Sequence, residues 1–147
     1  MRTLLFLVAS LWLAVSAQAA GVDFSGKWSI DLRSQKERKQ NVECGGASFN
    51  LSQIGDRISG GHEFATSGCG RLNEGGDGTV KGVVVGSSAV LVVTSGRNGA
   101  VVMGKAVRKG NLLYWKTLEE IRPGEPEGDS PLILGQGILA LENAGIK

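Results

Sequence analysis

Side chains able to do chemistry are few in this chain: a single histidine, His62, and two cysteines, Cys44 and Cys69. A histidine titrates near neutral pH and can move a proton or contact a ligand. General acid–base work also needs a partner within hydrogen-bond reach, and no Ser/Asp arrangement pairs with His62 in the sequence. One His and two Cys supply fewer ligands than a zinc site usually takes, so no metal and no cofactor are expected. The stretch Asn73-Glu74-Gly75-Gly76-Asp77-Gly78 has oxygen donors but lacks the regular spacing of a calcium loop. Phosphate loops, nucleophile elbows and HExxH motifs are absent. An even cysteine pair in an oxidising compartment reads as a disulfide, Cys44–Cys69.

A hairpin must position these groups. Ala47–Ile54 and Ile58–Thr66 alternate in polarity around a turn at Gly55-Asp56-Arg57. If Asp56-Arg57 are the central turn residues, Cys44 lies opposite Cys69. A turn one residue earlier leaves the two a diagonal step apart. In both registers His62 and Phe64 share a sheet face with Phe49 and Leu51, because cross-strand pairs face the same way. His62 is therefore expected to point inward, with Glu63 outward. An inward His62 fits three roles: a hydrogen-bonded core residue, a ligand contact or a catalytic group. Desolvation there would favour the neutral ring.

The rest of the chain repeats the pattern of short β-branched runs between turn residues. The first strand is expected at Phe24–Leu32, with Phe24, Gly26, Trp28, Ile30 and Leu32 on one parity, followed by a polar loop from Arg33 to Glu43. After the hairpin come strands at Thr79–Val85, Ala89–Ser95, Ala100–Val107, Leu112–Glu119 and Leu132–Leu141. Gly96-Arg97-Asn98-Gly99 and Lys109-Gly110-Asn111 are read as turns, and Pro123, Pro126 and Pro131 mark a loop. The 23 glycines punctuate apolar runs, so they act as turns and bulges and do not mark disorder. Eight strands in sequence order predict an all-β fold, a single eight-stranded antiparallel up-and-down meander barrel, which leaves no exposed edges. A two-sheet β-sandwich is the alternative.

The segment Asp23-Phe24-Ser25-Gly26-Lys27-Trp28-Ser29-Ile30-Asp31-Leu32-Arg33-Ser34 resembles the opening strand of avidin-like and lipocalin-like (calycin-type) barrels. Those families begin with a Gly-x-Trp whose indole plugs one barrel end. Leu51–Gly60 also resembles a hairpin of small secreted barrels of this kind. The resemblance implies a buried Trp28 and places Asp31 and Ser34 near positions that give polar ligand contacts in avidin-like proteins. The chain departs from that pattern later: Trp115 is the only tryptophan after Trp28, so the aromatic walls that hold biotin are missing. A shared fold does not carry function.

Residues 1–19 have the form of a secretory signal peptide: Arg2, an apolar run from Leu4 to Val15, then Ala17-Gln18-Ala19. Cleavage after Ala19 leaves about 128 residues of the 147, a single β-barrel domain over 20–147 with no further membrane-length segment. The formal net charge of +2 falls to about +1 without Arg2, and no basic stripe of the kind that binds nucleic acid is present. The location expected is periplasmic or extracellular. Two functions follow. The first is a non-enzymatic binding protein holding a small apolar ligand in the barrel, with His62, Phe49, Phe64 and Trp115 as candidate contacts beside Asp31 and Ser34. The second is a protein–protein interaction module of the envelope, such as a hydrolase inhibitor or assembly factor, using the Arg33–Lys39 loop or the Arg97 turn. An enzyme comes third.

Overall fold

The computed structural model describes residues 21–142; the signal-peptide reading of residues 1–19 lies outside them. Its strands are β1 (Gly26–Asp31), β2 (Cys44–Ile54), β3 (Arg57–Ser67), β4 (Leu72–Asn73), β5 (Val80–Val85), β6 (Ser88–Thr94), β7 (Val101–Lys109), β8 (Leu112–Arg122) and β9 (Gln136–Leu141). Every pairing is antiparallel, and β1 bonds to both β2 and β9, so the sheet closes on itself. Eight strands form the barrel wall. The short β4 adds to the upper half of β3, whose lower half pairs with β5. The expected meander barrel is the architecture found, and the sandwich is not. Among the described residues no helix is long and apolar enough to cross a membrane.

Tight turns gather at one end, here the lower one. Gly55-Asp56, Gly86-Ser87 and Gly110-Asn111 each join two strands in two residues, and each begins with a glycine near φ 60°. Such turns twist with the strands they join. Because Ile54 pairs with Arg57, the β2–β3 turn is Gly55-Asp56, and Cys44 stands opposite Ser67. The Cys44–Cys69 disulfide therefore runs along the diagonal, with Cα atoms 5.3 Å apart.

The long connections lie at the upper end. The Arg33–Glu43 segment, expected to be a loop throughout, contains a short helix α1 (Gln35–Lys39). Ser34 and Glu37 make a reciprocal capping box, a signal the S-x-x-E spacing carries in the sequence. The Leu132–Leu141 run also divides: only Gln136–Leu141 is strand, and Leu132 has φ 48°.

The barrel axis is filled by Phe24, Trp28, Phe49, Leu91, Val93, Leu113 and Leu139, all fully buried. Gly104 makes one of these contacts possible. A Cβ there would run into the Trp115 ring, so only glycine lets the indole close on β7.

Candidate functional site

Phe49, His62 and Trp115 meet inside the barrel. Phe49 pairs with His62 across β2 and β3, their rings stack at 4.5 Å, and Trp115 tilts against Phe49 at 5.0 Å. Phe64 lies on the same face two residues on and is only partly buried. Asp31 and Ser34 are not part of this group. Asp31 is at the upper end of β1, where the Arg33 guanidinium grips it through two bonds of 3.0 and 2.9 Å. Those bonds lower its pKa to about 2. The Ser34 hydroxyl accepts from the Glu37 N–H at the head of α1.

The sequence reading missed what His62, Trp115 and their neighbours hold. Residues 131–134 fold across the upper mouth, with Leu132 and Leu134 buried. A main-chain segment can enter a protein interior only if its peptide groups find partners, and here most of the partners are side chains from the surrounding strands and turns. The Trp115 indole donates to the Leu134 carbonyl at 2.6 Å, and the Thr117 hydroxyl donates to the same oxygen at 3.2 Å. The Leu134 N–H donates to His62 Nε2 at 3.2 Å. Asn73 Nδ2 donates to the Leu132 carbonyl at 3.0 Å, and Ser95 Oγ to that of Pro131 at 2.7 Å. Among the described residues the buried polar ones are His62, Asn73 and Ser95, and all three serve this one segment.

These bonds define the state of His62. A backbone N–H can only donate, so Nε2 is the unprotonated nitrogen. Nδ1 then carries the proton and donates to the Ser48 carbonyl at 2.9 Å. Burial pushes the pKa of the ring down to about 4, a shift only partly opposed by the bond to Ser48. With both nitrogens committed and no surface exposed, the ring acts as a neutral cross-brace between β2 and the 131–134 segment. Asn73 is equally committed, since its Oδ1 accepts from the N–H groups of Gly75 and Gly96. Among the described residues no buried side-chain nitrogen or oxygen lacks a partner, and no cluster of three or more His, Cys, Asp or Glu could hold a metal ion.

Two clefts reach the surface of the barrel. One of about 610 Å³ opens at the upper ends of β1–β3 and is lined from both faces of the sheet, by Ile30, Ala47 and Phe64 of the inner face and by Asp31, Ser48 and Glu63 of the outer. Another, of about 520 Å³, lies over β7–β9. Neither draws its lining from the axis residues Trp28, Phe49, Leu91 and Leu113. At the turn expected to present Arg97, the guanidinium is paired with Asp129 at 3.1 Å. Comparison of the chain with protein families, curated proteins and solved structures finds no match.

Proposed function

We propose that this is an exported, non-enzymatic protein that works through its exterior, as a protein–protein interaction module. The observation that carries this reading is the filled barrel. Its axis is packed with buried side chains, and the upper mouth is occupied by residues 131–134. A small-molecule site is ordinarily a concave apolar space of about 300–1,000 Å³ that encloses its ligand. Of the side chains expected to touch an apolar ligand, His62, Phe49 and Trp115 are turned to the protein's own main chain and to each other, and Phe64 alone faces the open 610 Å³ cleft. Export is supported by the leader-like start of the sequence and agrees with the Cys44–Cys69 bond, since disulfides persist in oxidising compartments.

Native mass spectrometry of the exported protein tests this reading. The expected result is the polypeptide alone or in complex with another protein. A small apolar molecule retained in stoichiometric amount would overturn it in favour of ligand carriage inside the barrel.

A further inference from the structure

The two halves of the barrel's outer surface differ in kind. Over β1–β3 the outward positions are mostly polar, Lys27, Ser29, Ser48, Asn50, Ser52 and Ser59, with Glu63 bonded to Ser48, and the one large exposed apolar residue there is Ile54 beside the lower turn. Over β5–β9 they are largely apolar, with Lys81, Lys105, Lys109 and Lys116 set among them, and no described part of the chain covers the valines and isoleucine at the edges of the field. Val83 is 46% exposed, Val85 61% and Ile138 52%. Pairing puts Val85, Ser88, Val107, Tyr114 and Ile138 in one row across the five strands. The next row runs Val83, Val90, Lys105, Lys116 and Gln136. Beyond it, a bulge in β8 turns Leu118 outward at 57% exposure.

Within this apolar field Lys105 and Lys116 stand directly opposite each other on β7 and β8. Like charges facing across a strand pair are destabilising, and no carboxylate relieves these two. The ion pairs among the described residues, Lys27–Glu142, Arg33–Asp31, Arg71–Asp129 and Arg97–Asp129, are all elsewhere. Glu119, the nearest acid in the register, faces Met103 past the bulge. Together Lys105, Lys116, Tyr114, Val107, Leu118 and Ile138 line the 520 Å³ cleft.

We propose that this face docks a short acidic segment of a partner protein, whose carboxylates meet Lys105 and Lys116 while its apolar side chains cover the valine and isoleucine rows. The inference rests on the exterior-binding reading above and gives it an address. Complementarity of charge selects the occupant. A second copy placed symmetrically on the same face would set lysines against lysines. A bilayer is also disfavoured, because a lysine ammonium reaches further out than a valine methyl. Sinking the valines into lipid would carry both ammonium groups deeper still, where charge is unfavourable. Five strands span only roughly 20 Å at about 4.8 Å per spacing, which suits a single helix or extended segment.

NMR titration of the full protein with a short Glu/Leu peptide, beside its Gln/Leu counterpart, tests the proposal. The Glu/Leu peptide is expected to shift the amides of β7–β9 around Lys105, Lys116 and Ile138. Affinity should fall about tenfold or more in the double variant Lys105→Glu/Lys116→Glu, and again at about 0.5 M salt, where the Debye length shrinks to a few ångströms. The Lys105→Gln/Lys116→Gln variant, which removes repulsion within the sheet, should fold at least as well as the parent and still bind weakly. Equal binding of the two peptides, or shifts confined to β1–β3, would overturn the proposal. So would salt-sensitive binding to phosphatidylglycerol vesicles without peptide binding, or a dimer in sedimentation that the Glu variants dissolve. If the peptide fails while native mass spectrometry still finds a protein complex, the exterior reading survives and only this address is lost.

Discussion

At the lower end of the barrel the closing group is a side chain, Trp28, under residues 22–25, which bond to Gln53 of β2 through the Phe24 N–H, the Ser25 hydroxyl and the Val22 carbonyl. At the upper end it is a piece of main chain, residues 131–134. The lower closure is mostly apolar. Phe24 and Trp28 are fully buried, the indole N–H bonds to the Phe24 carbonyl at 2.9 Å, and the Arg108 guanidinium lies 5.3 Å over the ring. The upper closure brings peptide groups into the core, and it holds because His62, Asn73, Ser95, Thr117 and Trp115 satisfy them. An apolar plug depends on area and fit, which pH does not change. A main-chain plug depends on the protonation and geometry of every partner. The lower end should therefore be the stronger and the upper end the more conditional.

The largest effect should come from the lower plug. Trp28→Ala removes a fully buried indole and is expected to lower unfolding free energy by about 3–5 kcal/mol. Urea denaturation followed by circular dichroism would show it, and a loss under about 1 kcal/mol would mean that the lower end is not held by this ring.

Acid should act on the upper end. The folded pKa of His62 is lowered to about 4, against about 6.5 in an unfolded chain. Above pH 6.5 both states are neutral and stability is complete. As pH falls from 6.5 towards 4 the unfolded state takes up the proton first, and stability drops by about 3 kcal/mol before levelling. Protonating Nε2 would also set a donor against the Leu134 N–H. His62→Leu should flatten this acid slope, while costing about 1–3 kcal/mol at neutral pH by stranding that N–H and the Ser48 carbonyl. An unchanged slope in the variant would assign the acid sensitivity to other groups.

The disulfide also belongs to the upper end. Cys44 and Cys69 are 25 residues apart, and losing their bond is expected to cost about 3 kcal/mol in the chain-entropy account. Differential scanning calorimetry of the Cys44→Ser/Cys69→Ser protein should show a melting point about 10 °C lower. A change of a degree or two would place the constraint within structure already formed in the unfolded chain.

The smallest effect distinguishes the plug from the wall. Asn73→Ala withdraws the partners of the Gly75 and Gly96 N–H groups and of the Leu132 carbonyl, a loss of about 2 kcal/mol. Hydrogen exchange at Leu132 and Leu134 should quicken more than exchange at Trp28 in this variant. Uniform quickening would show that both ends open only by global unfolding.

Much of the wall was legible in the residues themselves. Alternation in Ala47–Ile54 and Ile58–Thr66 placed Phe49, His62 and Phe64 on one face, and glycine-led turns marked where the strands reverse. The Gly-x-Trp resemblance led to a buried Trp28, and the fold agrees with a calycin-like barrel. The helix at Gln35–Lys39 was readable from the Ser34-x-x-Glu37 capping box and was overlooked within a polar run. The plug gave no comparable sign. Leu132-Ile133-Leu134 has the composition of a strand, and Asn73 and Ser95 lie in stretches with the composition of ordinary turns.

Period-two alternation and turn residues are local, each decided by neighbours a few positions away, and the even pair of cysteines is read from composition. Only the tertiary structure decided what fills the upper mouth. His62 lies 72 residues from Leu134, and Asn73 lies 59 from Leu132. The groups they bind are a peptide N–H and a peptide carbonyl. Every residue but proline carries both, so no side-chain pattern marks which ones will be buried. That choice is made when the wall closes and the long connection between the neighbouring strands β8 and β9 folds over its open end.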